Sequence, residues 1–396
     1  MALIVQKFGG SSVADRERLF HVARIIAQAY ENGDRVVVVV SAQGDTTDEL
    51  LEKAGSITRR PSGRELDMLL AAGEQISVAL LCMALGELGV RAVSLTGWQA
   101  GFYTDRLHTR ARIRQLDTER VRSELDKNQV VVVAGFQGWD RCGDITTLGR
   151  GGSDTSAVAL ACALGAQRCL IYTDVDGVYT ADPRWVPAAR RLRQISFEEM
   201  LELAAVGAQV LHGRSVEMAR RWGIPLVVLS SMEPGEGTQV TEVCTMEGLQ
   251  IKSVAAQTDA VVLELQLARP QAAPAVLAAL ATGGLAVRQT LQNETTLQLV
   301  LEDAAAEEAE TLVSKQADAL GVLEVRLKEQ LACISLVGSG LGADAGALPR
   351  MLAAIDDCGQ TPVLVSGNEV RISAFVERSA AKDAVRAVHA AFFETA

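Results

Sequence analysis

The sequence has 396 residues and a mass of 42.1 kDa, which predicts two or three domains rather than one core. Hydrophobic residues make up 48% and charged residues 22%, values that exclude a disordered, collagen-like or disulfide-stabilised chain. The 49 acidic and 38 basic residues give a net charge of −11, which repels nucleic-acid backbones and anionic membranes. We therefore expect a soluble protein that binds neither nucleic acid nor membrane.

The amino terminus and the cysteines indicate a cytoplasmic location. A charge at Lys7, followed at once by Gly9 and Gly10, interrupts the first apolar stretch, so we expect no signal peptide and no membrane span. The seven cysteines are scattered without a CxxC pair, which predicts reduced thiols.

Over the first 230 residues, apolar strands alternate with helices. The predicted strands are residues 2–8, 36–40, 91–95, 130–134, 169–172 and 226–229. The predicted helices are residues 16–30, 68–88 and 154–164, and a fourth that opens at Ser196 with Glu199 as its capping box. Continuous apolar strands are buried on both faces, so the pattern predicts an open, mainly parallel α/β sheet.

After a glycine- and proline-rich stretch at residues 232–240, the pattern changes to shorter elements, which predicts a domain boundary. An internal repeat follows, in which Asn293-Glu294 matches Asn368-Glu369 without gaps at an offset of 75 residues, the difference between 368 and 293. Each copy reads as strand, helix, two strands and helix, which predicts two small α+β units.

Two glycine-rich segments, residues 7–12 and 149–155, each follow a strand and precede a helix. Freed backbone amides at a helix N-terminus favour an anionic phosphate, although neither segment matches a common nucleotide-binding motif. The alternative for each is a tight turn that only glycine fits. Lys7 ends an apolar strand, where a cation needs an anionic partner such as phosphate.

Three further positions each have two interpretations. Residues 41–47 follow the second strand, at the sheet edge where ligands bind, or form a polar loop. Glu74 lies among apolar helical residues and either faces solvent or holds a cationic group. Asp174 and Asp176, separated by one residue within residues 172–184, either hold a metal or organise a turn, and the turn is favoured. The four histidines form no triad or zinc-protease motif.

These residues give the chain a resemblance to the aspartate kinases, within the amino-acid kinase superfamily, along nearly its full length. The matching motifs are residues 5–15, 39–51, 71–81, 135–138, 146–161 and 172–184. The resemblance implies a kinase-type α/β domain with an open, mainly parallel sheet over residues 1–245. It also implies a regulatory region over residues 246–396 with two ferredoxin-like α+β ACT domains, at about 250–325 and 326–396.

The implied reaction transfers the γ-phosphoryl group of ATP, with Mg²⁺, to the side-chain carboxylate of L-aspartate. The product, 4-phospho-L-aspartate, leads to lysine, threonine and methionine. The resemblance also implies allosteric control by lysine or threonine and a homodimer or higher oligomer formed through the ACT domains. A separate regulatory subunit that starts near Met246 is a further possibility.

The resemblance assigns roles residue by residue. The catalytic residues are Lys7 and Asp154. The aspartate-binding residues are Thr47, Glu74, Arg150 and Ser153. The nucleotide-binding residues are Lys7, Gly9, Gly10, Ser11, Ser41, Thr173, Asp174, Tyr179, Arg184 and Gln209. Gln292, Asn293 and Asn368 are candidate effector contacts, and their alternative role is to cap turns between paired strands. The metal ligands stay unassigned.

The chain departs from the family at two places. Gln209 stands where the family commonly has lysine, so either Arg214 or Arg184 replaces that charge or ATP binds more weakly. The loops after the first strand of each ACT repeat also lack the usual Pro-Gly. Two other functions therefore stay open: a kinase for glutamate, carbamate or a nucleotide, and a catalytically weakened amino-acid sensor.

Overall fold

A computed structural model describes residues 2–208, 210–242 and 250–394, which fold into two compact units. Residues 2–179, 191–205 and 210–242 form the first unit, and residues 180–190, 206–208 and 250–394 form the second. The chain therefore does not divide at a single point, because two short segments upstream of the predicted boundary pack with the second unit. The predicted boundary at residues 245 and 246 itself lies outside the described residues, as does the possible start at Met246.

The first unit is built on the α/β alternation expected from the sequence. Its strands are β1 (Leu3–Phe8), β2 (Arg35–Val40), β3 (Ala92–Leu95), β4 (Phe102–Thr104), β5 (Ile113–Leu116), β6 (Val130–Ala134), β7 (Gln137–Trp139), β8 (Ile145–Thr147), β9 (Arg168–Thr173), β10 (Gln194–Ser196), β11 (Leu226–Ser230) and β12 (Thr238–Thr241). Its helices are α1 (Arg16–Glu31), α2 (Thr46–Ile57), α3 (Gly63–Glu87), α4 (Glu119–Asp126), α5 (Gly152–Leu164), α6 (Phe197–Ala205) and α7 (Gly213–Trp222).

The main sheet of the described residues has eight strands in the order β10-β12-β11-β9-β1-β2-β6-β3. The pairs from β11 through β9, β1, β2 and β6 to β3 are all parallel, and β12 runs antiparallel to β11. The prediction of an open, mainly parallel sheet is confirmed. The end of the stretch predicted as the boundary, residues 238–240, instead belongs to β12 of this sheet.

Local sequence explains why the main elements form where they do. The valine runs of β2 and β6 are buried, and their alternate side chains pack under α1 and α3. Helix α1 begins after Asp15, whose side chain accepts a hydrogen bond from the Arg18 amide at 2.9 Å. The capping box of α6 is confirmed: Glu199 accepts from the Ser196 amide at 2.9 Å and donates its own amide to the Ser196 hydroxyl at 3.1 Å.

Helix α3 corrects the expectation that no apolar segment is long enough to span a membrane. By length and composition its 25 residues are sufficient. In the structure, however, α3 is a core helix of the first unit, and Asp67 and Glu74 are buried on it. Buried carboxylates with polar partners are typical of a helix that packs within a protein.

A second sheet of the first unit, in the order β5-β4-β7-β8, is not predicted from the sequence. Each of its strands has only three or four residues, too few for a clear alternation of apolar and polar positions. Its importance is positional, because β8 ends at Thr147 and leads directly into the glycine-rich segment before α5.

The second unit contains both repeats. Its strands are β13 (Gln250–Leu267), β14 (Gln289–Asn293), β15 (Thr296–Glu302), β16 (Val322–Ser339), β17 (Leu364–Gly367) and β18 (Arg371–Glu377). Its helices are α8 (Ala273–Thr282), α9 (Asp303–Lys315), α10 (Ala317–Leu320), α11 (Ala347–Asp356) and α12 (Ala381–His389). The order of strands and helices in each repeat is the predicted one.

The two repeats share one antiparallel sheet, in the order β14-β15-β13-β16-β18-β17. Strands β13 and β16 have 18 residues each, and each crosses both halves of the sheet. One core places Leu263 of β13 against α8 and α9, whereas another places Val254 of the same strand among residues of α11 and α12. The predicted division at residues 325 and 326 therefore cuts through β16 and does not separate the cores.

The segment of residues 180–190 completes the core beside α11 and α12. Ala181 and Val186 are buried there. The Thr180 carbonyl accepts a hydrogen bond from the Val254 amide at 2.8 Å, and the Thr180 hydroxyl lies 3.0 Å from Nε2 of the buried His389. This segment is thus an integral part of the second unit.

We predict that Val186→Ala lowers the free energy of unfolding by roughly 1–3 kcal/mol, because it leaves a cavity in this core. Urea unfolding of the full chain measures the change. Val175→Ala, at an exposed position of the preceding loop, is the control and should change little. Equal stabilities of the two variants would contradict the placement of residues 180–190 in the second unit's core.

Candidate active site

A cleft of about 490 Å³ opens in the first unit at the carboxyl edge of its main sheet. It is lined by Lys7, Ser41, Thr47, Asp48, Leu51, Leu66, Leu70, Glu74, Thr109, Phe136, Thr147, Gly149, Arg150, Gly151, Gly152, Ser153 and Asp154. The structure thus brings together both predicted catalytic residues and all four predicted aspartate-binding residues. These six residues come from strand β1, helices α2 and α3, and α5 with the segment before it.

Lys7 and Asp154 form an ion pair inside the cleft. The ammonium nitrogen of Lys7 lies 2.7 Å from Oδ1 of Asp154, and both side chains are 12% exposed. Asp154 belongs to the first turn of α5, where the helix dipole favours a carboxylate. The Lys7 side chain, largely removed from water, thus has an anionic partner beside the glycine turn after β1.

Close backbone packing explains the glycines of both loops. A Cβ atom on Gly10 would lie 2.5 Å from the Ala42 carbonyl oxygen. Gly151 has a φ of +67°, and a Cβ there would lie 2.3 Å from His212. The Ser41 hydroxyl donates to the Ser153 hydroxyl at 3.0 Å, so the loop after β2 and the start of α5 are held side by side.

Glu74 is a buried carboxyl group with one oxygen that has no partner among the described residues. Its other oxygen, Oε1, accepts a hydrogen bond from the Ala42 amide at 3.1 Å. Burial raises the pKa of Glu74 from its ordinary value of 4.5 to about 8, against the smaller opposing effect of the Ala42 hydrogen bond. Because Glu74 is buried, the interpretation that it faces solvent is wrong. A cationic ligand group would offset the desolvation of its carboxylate.

Arg150 supplies the opposite charge on the same cleft. It is exposed and forms no ion pair with any residue that the structure describes. A guanidinium group matches a carboxylate with two parallel hydrogen bonds. Glu74 and Arg150 together therefore present complementary groups to a small molecule that carries both an ammonium and a carboxylate.

Three predicted nucleotide residues lie at and beyond the end of β9, the strand that neighbours β1. The Thr173 hydroxyl donates to Asp174 at 2.9 Å, and the Tyr179 hydroxyl donates to Asp176 at 2.8 Å. Asp176 also pairs with Arg191 at 3.0 Å, so this carboxylate organises a turn. The described residues contain no group of three or more His, Cys, Asp or Glu side chains that could hold a metal ion.

The remaining residues of the glycine turn after β1 have different surroundings. A Cβ on Gly9 would lie 3.7 Å from the ammonium nitrogen of Lys7, so this backbone passes close to the cation. Ser11 is exposed, and its carbonyl accepts from Arg18 at 2.8 Å. The neighbouring Ser12, for which the sequence predicts no role, is buried and bonds to Ser231 at 2.7 Å.

Other predicted residues lie elsewhere or have other contacts. Arg184 belongs to the second unit, where it pairs with Asp182 at 2.7 Å and its side chain is 86% exposed. Gln209 lies outside the described residues.

Arg214 donates to the carbonyl oxygens of Leu148 at 2.7 Å and Ala111 at 3.3 Å. Its guanidinium is therefore committed to loop backbones, and the idea that it replaces a phosphate-binding lysine is not supported.

The candidate effector residues lie in the second unit. Oδ1 of Asn368 accepts hydrogen bonds from the amides of Val370 at 2.9 Å and Arg371 at 2.7 Å. These contacts match the alternative to an effector role, in which Asn368 caps the turn between paired strands. Gln292 donates to the Pro270 carbonyl at 3.0 Å and so ties the strand pair to the loop after β13. Asn293 ends β14 beside the matching turn.

Several residues of the cleft have no role predicted from the sequence. Phe136 lines the cleft and has a φ of +67°. It follows the predicted strand β6 at the same sheet edge, and this position in the sequence indicates a ligand-binding loop. Thr109 also lines it, on the loop between β4 and β5. No signal for Thr109 exists in the sequence, because only tertiary contacts bring that loop to the cleft.

We predict that ionisation of Glu74 destabilises the ligand-free protein. Its folded-state pKa is raised, so the stability present below pH 4.5 is lost as the pH rises toward 8. Relative to Glu74→Gln, the wild type should lose on the order of 3 kcal/mol of unfolding free energy between pH 5 and pH 8. Urea titrations of both proteins at several pH values test this, and parallel pH profiles would contradict it.

Comparison with known proteins agrees with this fold. The amino acid kinase family matches residues 2–230, and an ACT domain matches residues 334–392. An aspartokinase of Geobacillus stearothermophilus is 46% identical over 401 aligned residues, covering 99% of this chain and 97% of that protein.

Solved structures of aspartokinase III from E. coli are also similar. The complex with aspartate and ADP, described as the R-state, has a TM-score of 0.85 and 26% identity, covering 99% of this chain and 100% of that one. The complex with lysine and aspartate, described as the T-state, has a TM-score of 0.77 at the same identity, with 99% of each chain covered.

Proposed function

This chain belongs to the aspartokinase family and is an aspartate kinase, and on that premise we propose how its residues serve the reaction. The γ-phosphoryl group of ATP is transferred to the side-chain carboxylate of L-aspartate, the first step toward lysine, threonine and methionine. A carboxylate oxygen forms the new bond to phosphorus, the bond to the bridging oxygen of ATP breaks, and ADP leaves. The carboxylate is already ionised at neutral pH, so no general base is required.

The observation that carries the proposal is the presence of Glu74 and Arg150 on one cleft. In the proposal, Glu74 binds the ammonium of aspartate and Arg150 its α-carboxylate. The hydroxyl groups of Thr47 and Ser153 complete the contacts to aspartate. This arrangement leaves the side-chain carboxylate as the free nucleophile and selects against ligands that lack either charge.

The phosphate side of the cleft is assigned to Lys7 and the glycine turn after β1. Two anions must approach in line, so catalysis depends on positioning and on positive charge around the transferring group. Lys7 supplies that charge, with Asp154 as its partner. Gly9, Gly10, Ser11 and Ser41 complete the phosphate cradle.

The rest of the nucleotide is assigned to the end of β9. Thr173, Asp174 and Tyr179 are the proposed contacts there. Gln209 and Arg184 are assigned to ATP by resemblance alone.

Magnesium fits the donor set of this cleft. Mg²⁺ usually keeps several waters and takes one or two protein carboxylates together with substrate phosphates, so a dedicated cluster of acidic residues is not required. Asp154 is the carboxylate that would hold it. When bound, the ion would neutralise charge on the phosphates.

Regulation and assembly are assigned to the second unit. Lysine or threonine is the proposed effector, supported by the structural similarity to a lysine-bound relative. The repeats are the proposed surface for a homodimer or higher oligomer. A cytoplasmic location is supported by the six described cysteines, which are all free thiols.

We predict that Lys7→Ala loses on the order of 10²-fold or more in kcat, as expected when a preorganised stabilising charge is removed. The assay traps the acyl phosphate formed from L-aspartate and Mg²⁺-ATP with hydroxylamine, with and without lysine and threonine. Lys127→Ala, which removes an exposed lysine on the same unit, is the control. Absence of product with the wild type would overturn the proposed reaction, and near-normal turnover in Lys7→Ala would overturn the role of Lys7.

We also predict that aspartate binding releases up to about one proton at pH 7, because the incoming ammonium lowers the raised pKa of Glu74. Calorimetric titrations in buffers of different ionisation enthalpy measure this number. Glu74→Gln should abolish the release and weaken aspartate binding roughly 10-fold or more. Glu124→Gln, at another buried carboxylate, is the control, and proton release that persists in Glu74→Gln would refute the assignment.

A further inference from the structure

Asp67 is a fully buried carboxylate that neither lines the cleft nor takes part in the proposed chemistry. It lies on α3 seven residues before Glu74, a spacing of about two helical turns, so both carboxylates project from the same face. A buried carboxylate is costly unless it is fully hydrogen-bonded, so the partners of Asp67 are informative.

The partners of Asp67 come from two other elements. Its Oδ2 lies 2.8 Å from Nδ1 of His108, and both carboxylate oxygens lie 3.0 Å from the Thr109 amide. Its Oδ1 accepts a hydrogen bond from the Thr147 hydroxyl at 2.5 Å. One side chain therefore joins α3, the loop between β4 and β5, and the end of β8.

Each of these three elements leads to the cleft. Helix α3 carries Glu74, the loop contributes Thr109, and β8 is followed after two residues by Arg150. The loop also lies directly on the backbone before Arg150, because a Cβ on Gly149 would be 3.0 Å from the Thr109 carbonyl oxygen. A shift of Asp67 would therefore move the two charged groups that face the ligand.

The backbone of Thr109 shows that the loop is held in place. Its φ of +66° is unfavourable for a β-branched residue and persists only where the surroundings impose it. The hydrogen bonds from the Thr109 amide to Asp67 supply part of that constraint. The Arg214 guanidinium bridges the Ala111 and Leu148 carbonyl oxygens and so binds the same loop to the same strand end a second time.

We propose that Asp67 is a positioning residue that sets the separation of Glu74 and Arg150 and thereby the affinity for aspartate. The inference rests on the proposed assignment of those two residues to the ammonium and the α-carboxylate. Among the described residues, Lys7 and the turn after β1 receive no hydrogen bond from Asp67 or from its partners His108, Thr109 and Thr147. The effect should therefore fall on aspartate and spare ATP.

Steady-state kinetics of Asp67→Asn tests the proposal. The amide keeps the shape of the side chain. Its NH₂ group, however, is a donor at a place where His108, the Thr109 amide and the Thr147 hydroxyl converge on the carboxylate. We expect KM for aspartate to rise on the order of 10²-fold, the cost of misplacing a binding group by about 1 Å. KM for ATP should stay within about twofold of the wild-type value.

A second pair of variants keeps the test valid if Asp67→Asn does not fold. Thr147→Val removes one hydroxyl donor to Asp67 at nearly constant volume, and it should raise KM for aspartate in the same direction by a smaller factor. Thr147→Ser keeps the hydroxyl and should restore the wild-type KM. A value for Thr147→Ser equal to that of Thr147→Val would overturn the proposal.

The matched control is Asp140→Asn. Asp140 is equally buried and accepts from the Cys142 and Asp144 amides at 2.8 and 3.0 Å, but the turn that it organises does not line the cleft. It should lose stability without a change in KM for aspartate. If Asp67→Asn behaves in the same way, or raises both KM values together, Asp67 has only a structural role.

Glu74→Gln separates this inference from the assignment beneath it. If Glu74→Gln raises KM for aspartate and Asp67→Asn does not, the positioning role of Asp67 is refuted and the assignment of Glu74 stands. If Glu74→Gln leaves KM for aspartate unchanged, the assignment itself fails.

Discussion

The cost of removing charge from water organises this active site. Lys7 sits at the end of a buried parallel strand, where an unpaired ammonium would be strongly destabilising. Asp154, on the first turn of α5, stabilises it at 2.7 Å, and this contact fixes the end of β1 against the helix start. The glycines of the two loops pack against other neighbours, Gly10 against the Ala42 carbonyl after β2 and Gly151 against His212, and the Ser41 to Ser153 hydrogen bond ties the loop after β2 to α5.

Glu74 and Arg150 also line the cleft, and neither forms an ion pair with a described residue. Burial raises the pKa of Glu74, and Arg150 faces solvent. In the roles proposed for Glu74 and Arg150, a zwitterionic ligand would contact both side chains and offset the cost of burying Glu74. The proposed selectivity for an amino acid thus depends on an unfavourable side-chain environment.

The sequence was sufficient for features whose signal is local. Valine runs predict the strands of the main sheet, and glycines after strands predict the loops at its carboxyl edge. It was not sufficient where long-range contacts decide the outcome: the buried network around Asp67 joins residues that are up to 80 positions apart, as Asp67 and Thr147 are. Similarly, the repeat predicts two units, but β13 and β16 are long enough to serve both, which no period in the sequence reveals.

The placement of residues 180–190 has a consequence for how the chain acquires its structure. The contact between Thr180 and His389 spans 209 positions, so during synthesis Ala181 and Val186 have no core to enter until nearly the whole chain is made. A fragment that begins after residue 190 lacks Ala181 and Val186 altogether. Such a fragment would keep the second unit's sheet but expose the apolar surface that those two side chains cover, which favours association with another chain over an isolated monomer.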